Sequence, residues 1–93
     1  MQVLELQNIL DMIAAPALKD CFLQNEGKPL LVNAAPVQRL GAQCLQILLS
    51  AKKEWEEKGV EFVLNTPSSA FIEAANFMGV AVEDLTYQAQ VVS

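Results

Sequence analysis

The amino-acid sequence predicts one small α/β domain, a mixed β-sheet of about four strands with three main helices packed on it. Three observations lead there. Short apolar runs alternate with longer segments whose apolar residues recur at helical spacing, the pattern of strands joined by helices. Gly27, Gly59 and Gly79 each follow such a helical segment, where a C-terminal cap belongs. The chain has 93 residues, of which 53% are hydrophobic, enough for one core and a length that suits one domain. Residues 1–93 are read as a single domain, with 83–93 a candidate loose tail because the apolar signal weakens beyond Val82.

Val3, Leu4 and Leu6, with Glu5 between them, predict a first strand. Ile9, Leu10 and Ile13 carry the apolar signal on, around Asn8 and Asp11, as a short second strand or an extended bend. A first helix begins near Ala14 or Pro16, since proline loses nothing in a first turn whose N–H groups have no partner. Ala14, Ala15, Leu18, Cys21 and Phe22 fall on one face, and the helix stops by Gly27. Leu30, Leu31 and Val32 form a continuous apolar run after Pro29, which predicts a strand buried on both faces. Residues 33–40 read as a loop carrying Pro36 and Arg39.

A second helix over 42–58 has a wide stripe of Cys44, Leu45, Ile47, Leu48, Leu49, Ala51 and Trp55. Its far end is a solvated charged face with Lys52–Glu56, Lys53–Glu57 and Glu54–Lys58 four residues apart. Val60, Phe62, Val63 and Leu64 predict the next strand, and 65–69 a turn leading into a helix cap. The third helix carries Phe71, Ala74, Ala75 and Met78 and closes at Gly79. Ile72 and Phe77 flank its stripe and leave room for a homodimer. Residues 86–93 read as a frayed tail or an edge strand.

Composition removes several function classes. Net charge is −5, and Glu61, Glu73, Glu83 and Asp84 lie in a stretch without any Lys or Arg. Such a chain is a poor match for nucleic acid and a better one for a basic protein. Histidine is absent, which removes the commonest general base and metal ligand. With two cysteines and no histidine, a structural zinc site is not expected. No glycine-rich loop precedes a helix to cradle a phosphate. No catalytic residue, cofactor or metal is therefore assigned, and the chain is not read as an enzyme. Its apolar runs are too short to span a bilayer, and MQVLELQNIL lacks the basic start of a secretory signal, so a soluble cytoplasmic protein without direct membrane insertion is expected. Cys21 and Cys44 read as small buried hydrophobes in a reducing compartment, a disulfide between them being left open. Gly41 stands apart from the other glycines because it directly precedes a helix. It marks either an ordinary helix entry or a contact surface at a strand–helix junction.

Three segments in order carry a resemblance. LLVNAAPVQRLGAQCLQILLSA, residues 30–51, resembles the central segment of STAS domains, the anti-sigma-factor-antagonist fold. There a strand and loop lead into an Asp-Ser-Ser-Gly or Asp-Thr-Ala-Gly-like motif that opens a Leu- and Ile-rich helix. LDMIAAPALKD, residues 10–20, is similar to the family's entry into its first helix. LNTPSSAFIEAANFMGV, residues 64–80, is similar to its later strand–Pro-Ser–helix–Gly segment. The resemblance implies a non-catalytic protein–protein interaction module in bacterial signal transduction, anti-sigma-factor antagonist-like or chemotaxis-associated. Its partner would be an anti-sigma-factor or kinase-like protein, or a chemotaxis component. The alternative it implies is a small subunit of a lipid or ABC transport complex, docked on a transporter ATPase. A third reading, a binder of nucleotides or lipids, also has precedent among relatives.

Many members of the family are switched by phosphate on a Ser or Thr at this helix start. Alignment puts Gly41 on the family's Asp, with Ala42 and Gln43 on the two hydroxyl positions, and neither side chain can accept a phosphoryl group. No Ser, Thr or Tyr lies between Asn33 and Leu49, so phosphorylation at the usual site is not expected. The expected partner surface is Ala35, Val37, Arg39, Gly41, Ala42 and Gln43, with Asn65, Ser68 and Ser69 as a second edge if the two strand ends lie side by side. Arg39 reads as an interface anchor or as a solvated loop charge, and Gln43 as an uncharged hydrogen-bonding contact or a plain helix-start residue.

Overall fold

A computed structural model describes residues 1–88. In chain order the elements are β1 (Gln2–Glu5), β2 (Ile9–Leu10), α1 (Ala15–Gln24), β3 (Leu30–Asn33), β4 (Arg39–Leu40), α2 (Ala42–Glu57), β5 (Phe62–Asn65) and α3 (Ser69–Phe77). A 3-10 turn, Val82–Leu85, follows.

Strands β1, β3 and β5 pair in parallel in that order, with α1 and α2 in the two crossovers, as parallel neighbours require. The register aligns Leu4 with Val32 and Leu64, and Glu5 with Asn33 and Asn65. The sheet is all-parallel, with an isolated antiparallel bridge from Tyr87 to Phe62 at the free edge of β5. The expected loop over 33–40 instead contains β4, which pairs in parallel with β2 as a separate two-stranded ribbon. Two residues are too few to show a strand periodicity. What creates β4 is a partner, since the N–H groups of Gln38 and Arg39 both donate to the Asn8 carbonyl.

All three helices feed one core. Phe22 from α1, Trp55 from α2 and Phe62 from β5 meet with ring centroids 5.8–6.2 Å apart, in the edge-on and tilted contacts aromatic rings prefer. The Trp55 indole N–H donates to the Lys28 carbonyl at 2.7 Å, so this buried ring leaves no donor unsatisfied. Cys44, Leu45, Leu48 and Ala51 are buried as the stripe predicts, while Ile47 and Leu49 are half-buried at its margins. Gly59 has φ +68°, a left-handed conformation that turns the chain out of α2. The Val60 N–H then reaches back to the Trp55 carbonyl at 2.9 Å. Of the expected charge pairs, Lys52–Glu56 closes at 2.7 Å and Lys58–Glu54 at 3.5 Å. Lys58 also reaches Glu26 at 2.6 Å, which lowers the Glu26 carboxyl and raises the Lys58 ammonium from their usual values.

Two expectations need correction. Leu30 and Val32 have no exposure, but Leu31 between them is only half-buried, so β3 is covered on one face and not on both. The segment 83–88 is not a loose tail. Leu85 is fully buried, and the Leu64 N–H donates to the Thr86 hydroxyl at 3.0 Å. The Tyr87 and Phe62 backbones exchange two hydrogen bonds of 2.6 and 2.8 Å. The remainder of that expected tail, 89–93, lies outside the described residues. Among the described residues no helix is long and apolar enough to cross a membrane.

Candidate partner-docking site

The start of α2 lies against the chain that enters α1. The Gly41 N–H donates to the Leu10 carbonyl at 2.8 Å. A Cβ at Gly41 would meet that carbonyl oxygen at 3.2 Å and the Asp11 Cα at 3.8 Å. Backbone conformation does not demand glycine here, since φ is −92° and ψ 165°; the close approach makes any side chain tight, so that the neighbouring backbone would have to give by a few tenths of an ångström. An Asp at this position would press on the segment after β2.

Asp11 organises the same segment. Its carboxylate accepts the N–H groups of Ile13 and Ala14 at 3.0 and 3.1 Å, an Asx turn that leads into α1. Its carbonyl accepts the Cys44 thiol at 3.3 Å. Fixed in this way, the turn presents Met12 and Ile13 to solvent, 70% and 88% exposed. Ile9 is 41% exposed and pairs with Arg39 across the β2–β4 ribbon. Arg39, Ala42 and Gln43 are exposed and Gly41 half-buried. The helix start is thus rimmed by three large apolar side chains held on a pinned backbone, with one cation beside them.

The ends of β3 and β5 lie side by side. Asn33 and Asn65 sit side by side in register, and the Ala34 N–H donates to the Asn65 carbonyl at 3.0 Å. Ala35, Asn65 and Ser69 are exposed. Val37 does not belong to this surface: it is 2% exposed and its apolar side chain packs in the core, while its carbonyl accepts the Ser68 hydroxyl. Ser68 is occupied structurally as well. Its oxygen accepts the Phe71 N–H at 3.1 Å, capping α3, while its O–H donates to Val37. Replacing Ser68 with Ala removes both bonds, so thermal melting should show a loss of about 1–2 kcal/mol.

Sequence reasoning missed Ile9, Met12 and Ile13 as surface. Apolar residues in an expected strand or bend are read as core. The signal that could have placed them outside is Asp11 among them, an Asx-turn former just before a proline-marked helix start.

Both cysteines are free, Cys21 half-buried and Cys44 fully buried. Burial pushes the Cys44 thiol above its ordinary value of 9.0, with the Asp11 charge adding to it. Because the folded state holds this proton more tightly than the unfolded chain, the Cys44 contribution to stability is complete below pH 9. It is lost as pH rises from there through the folded value. Denaturant midpoints should fall across that range in the wild type and fall less in Cys44→Ala. Among the described residues no three His, Cys, Asp or Glu side chains gather as a metal set. A groove of about 320 Å³ runs between α1 and α2, floored by Phe22, Leu23, Ile47 and Ala51 with Lys19 and Glu54 on its rim.

A family model described as "Mlab, STAS domain" matches residues 1–87. The chain belongs to the STAS family. No curated protein and no solved structure matches it. STAS domains are in general non-catalytic and typically mediate protein–protein interactions. In this STAS domain the first turn of α2 carries Ala42 and Gln43 and no hydroxyl.

Proposed function

We propose that this STAS domain is a cytoplasmic, constitutive docking module that binds a protein partner through the start of α2 and the turn before α1. The observation that carries the reading is the pinned apolar turn, Met12 and Ile13, against a helix start that has no group to phosphorylate. A backbone already fixed by hydrogen bonds loses little further entropy when the apolar side chains it carries are bound, which suits a docking surface. A phosphate-switched antagonist must be released on demand, whereas a permanent subunit needs no switch. The missing hydroxyls therefore favour a stable assembly, such as the ATPase subunit of a lipid or ABC transport complex. The signalling role, with an anti-sigma-factor or kinase-like protein or a chemotaxis component, is the second reading. It is supported by the three resembling segments in family order.

Affinity capture with mass spectrometry tests this, with Gln43→Arg as the surface-disrupted control. The expected result is one protein recovered near equal stoichiometry with the wild type and lost with Gln43→Arg. An ATPase subunit or a signalling protein as that partner decides between the two roles. Equal recovery with both baits, or chaperones alone, overturns the docking surface.

A further inference from the structure

The parallel sheet has one uncovered face. Leu4, Leu30, Val32, Phe62 and Leu64 lie on the face toward the core, and the residues between them lie on the other. The register puts Val3, Leu31 and Val63 in one row across β1, β3 and β5 on that far face. Val3 is 59% exposed, Leu31 and Val63 are half-buried, and none of the three packs against the core. α1, α2 and α3 all contribute their buried residues to the single core on the opposite side. Parallel sheets are almost always covered on both faces, and the continuous apolar run in β3 is written for such a setting.

Size and charge say what fits. Three strands of four residues span about 13 Å by about 10 Å, the footprint of a short helix about 10 Å across. A stable dimer needs about 800 Å² from each partner, several times this area. β1, β3 and β5 contain no Lys or Arg, and Glu5 and Glu61 stand on either side of the apolar row, Glu61 just before β5. A second copy would set acid against acid. We propose that this face docks one amphipathic helix of a partner, with an apolar stripe flanked by Lys or Arg. It supplies the helical layer that the parallel sheet lacks. This surface is separate from the α2-start site and does not depend on it.

The test is a nitrogen-15 NMR titration of the full chain with a synthetic 14-residue helix carrying a Leu stripe flanked by Lys, and with its twin carrying Glu for Lys. The Lys peptide should saturate and shift the amides of Val3, Leu31 and Val63, and the Glu twin should not bind. Leu31→Thr with Val63→Thr keeps the charge and suits a strand, and should weaken binding at least tenfold. Val3→Thr alone, at an exposed position, should weaken it severalfold if the double variant fails to fold. Ile13→Asp should leave this binding unchanged, which separates the two surfaces. Three outcomes overturn the proposal: shifts centred on the α1–α2 groove or on 9–13, binding indifferent to the Thr variants, or a native dimer whose interface moves these same amides.

Discussion

Trp55→Ala should cost about 3–5 kcal/mol, the range for emptying a buried large aromatic. The indole is 1% exposed and touches both other rings of the aromatic cluster. Its removal also orphans the Lys28 carbonyl, now held at 2.7 Å. Domains of this size hold about 5–15 kcal/mol in all, so the variant sits near the threshold of folding. At about 4–8 °C per kcal/mol, the melting temperature should fall on the order of 20 °C. Trp55→Phe keeps most of the ring and loses the donor, and should cost about 1–2 kcal/mol. Circular dichroism melts of both variants check this; a fall under about 5 °C for Trp55→Ala would show that the cluster is not the centre of the core.

Ile13→Asp is expected to do the reverse, harming binding and sparing the fold. The side chain is 88% exposed, so stability should stay within about 0.5 kcal/mol of wild type. A charge at the centre of an apolar contact should cost at least about 2 kcal/mol of partner affinity, roughly thirtyfold. Met12→Asp should behave alike, and the double variant need not add. Phe77→Asp is the control: at 93% exposure on α3 it is equally apolar and equally bare, yet it is remote in sequence from the pinned turn. Calorimetric titration with the captured partner reads all three. If Phe77→Asp weakens binding and Ile13→Asp does not, the docking surface lies on α3 and the assignment to the α2 start fails.

Much of this fold was legible in the sequence because its long elements obey local rules. α2 shows a helical stripe ending in Trp55, and α3 opens on a Ser68 cap whose geometry the structure displays. What the sequence hid depends on partners distant in the chain. β4 exists because Asn8 offers a carbonyl, and Thr86 and Tyr87 are ordered because β5 has an open edge. The site divided in the same way. Gly41, Ala42 and Gln43 could be placed at a helix start from the pattern alone. Whether Val37 or Ile13 faces solvent depends on how loop and turn backbones are held by residues such as Ser68 and Asp11. Periodicity carries no information about such contacts.

The clasp of Tyr87 on Phe62 has a consequence for synthesis. Phe62 belongs to the aromatic cluster, yet the segment that bridges its outer edge arrives twenty-odd residues later, together with the fully buried Leu85. A ribosome must therefore release nearly the whole domain before that edge can be sealed. Until then the growing chain carries an open strand flank of the kind that chaperones bind and neighbouring chains join.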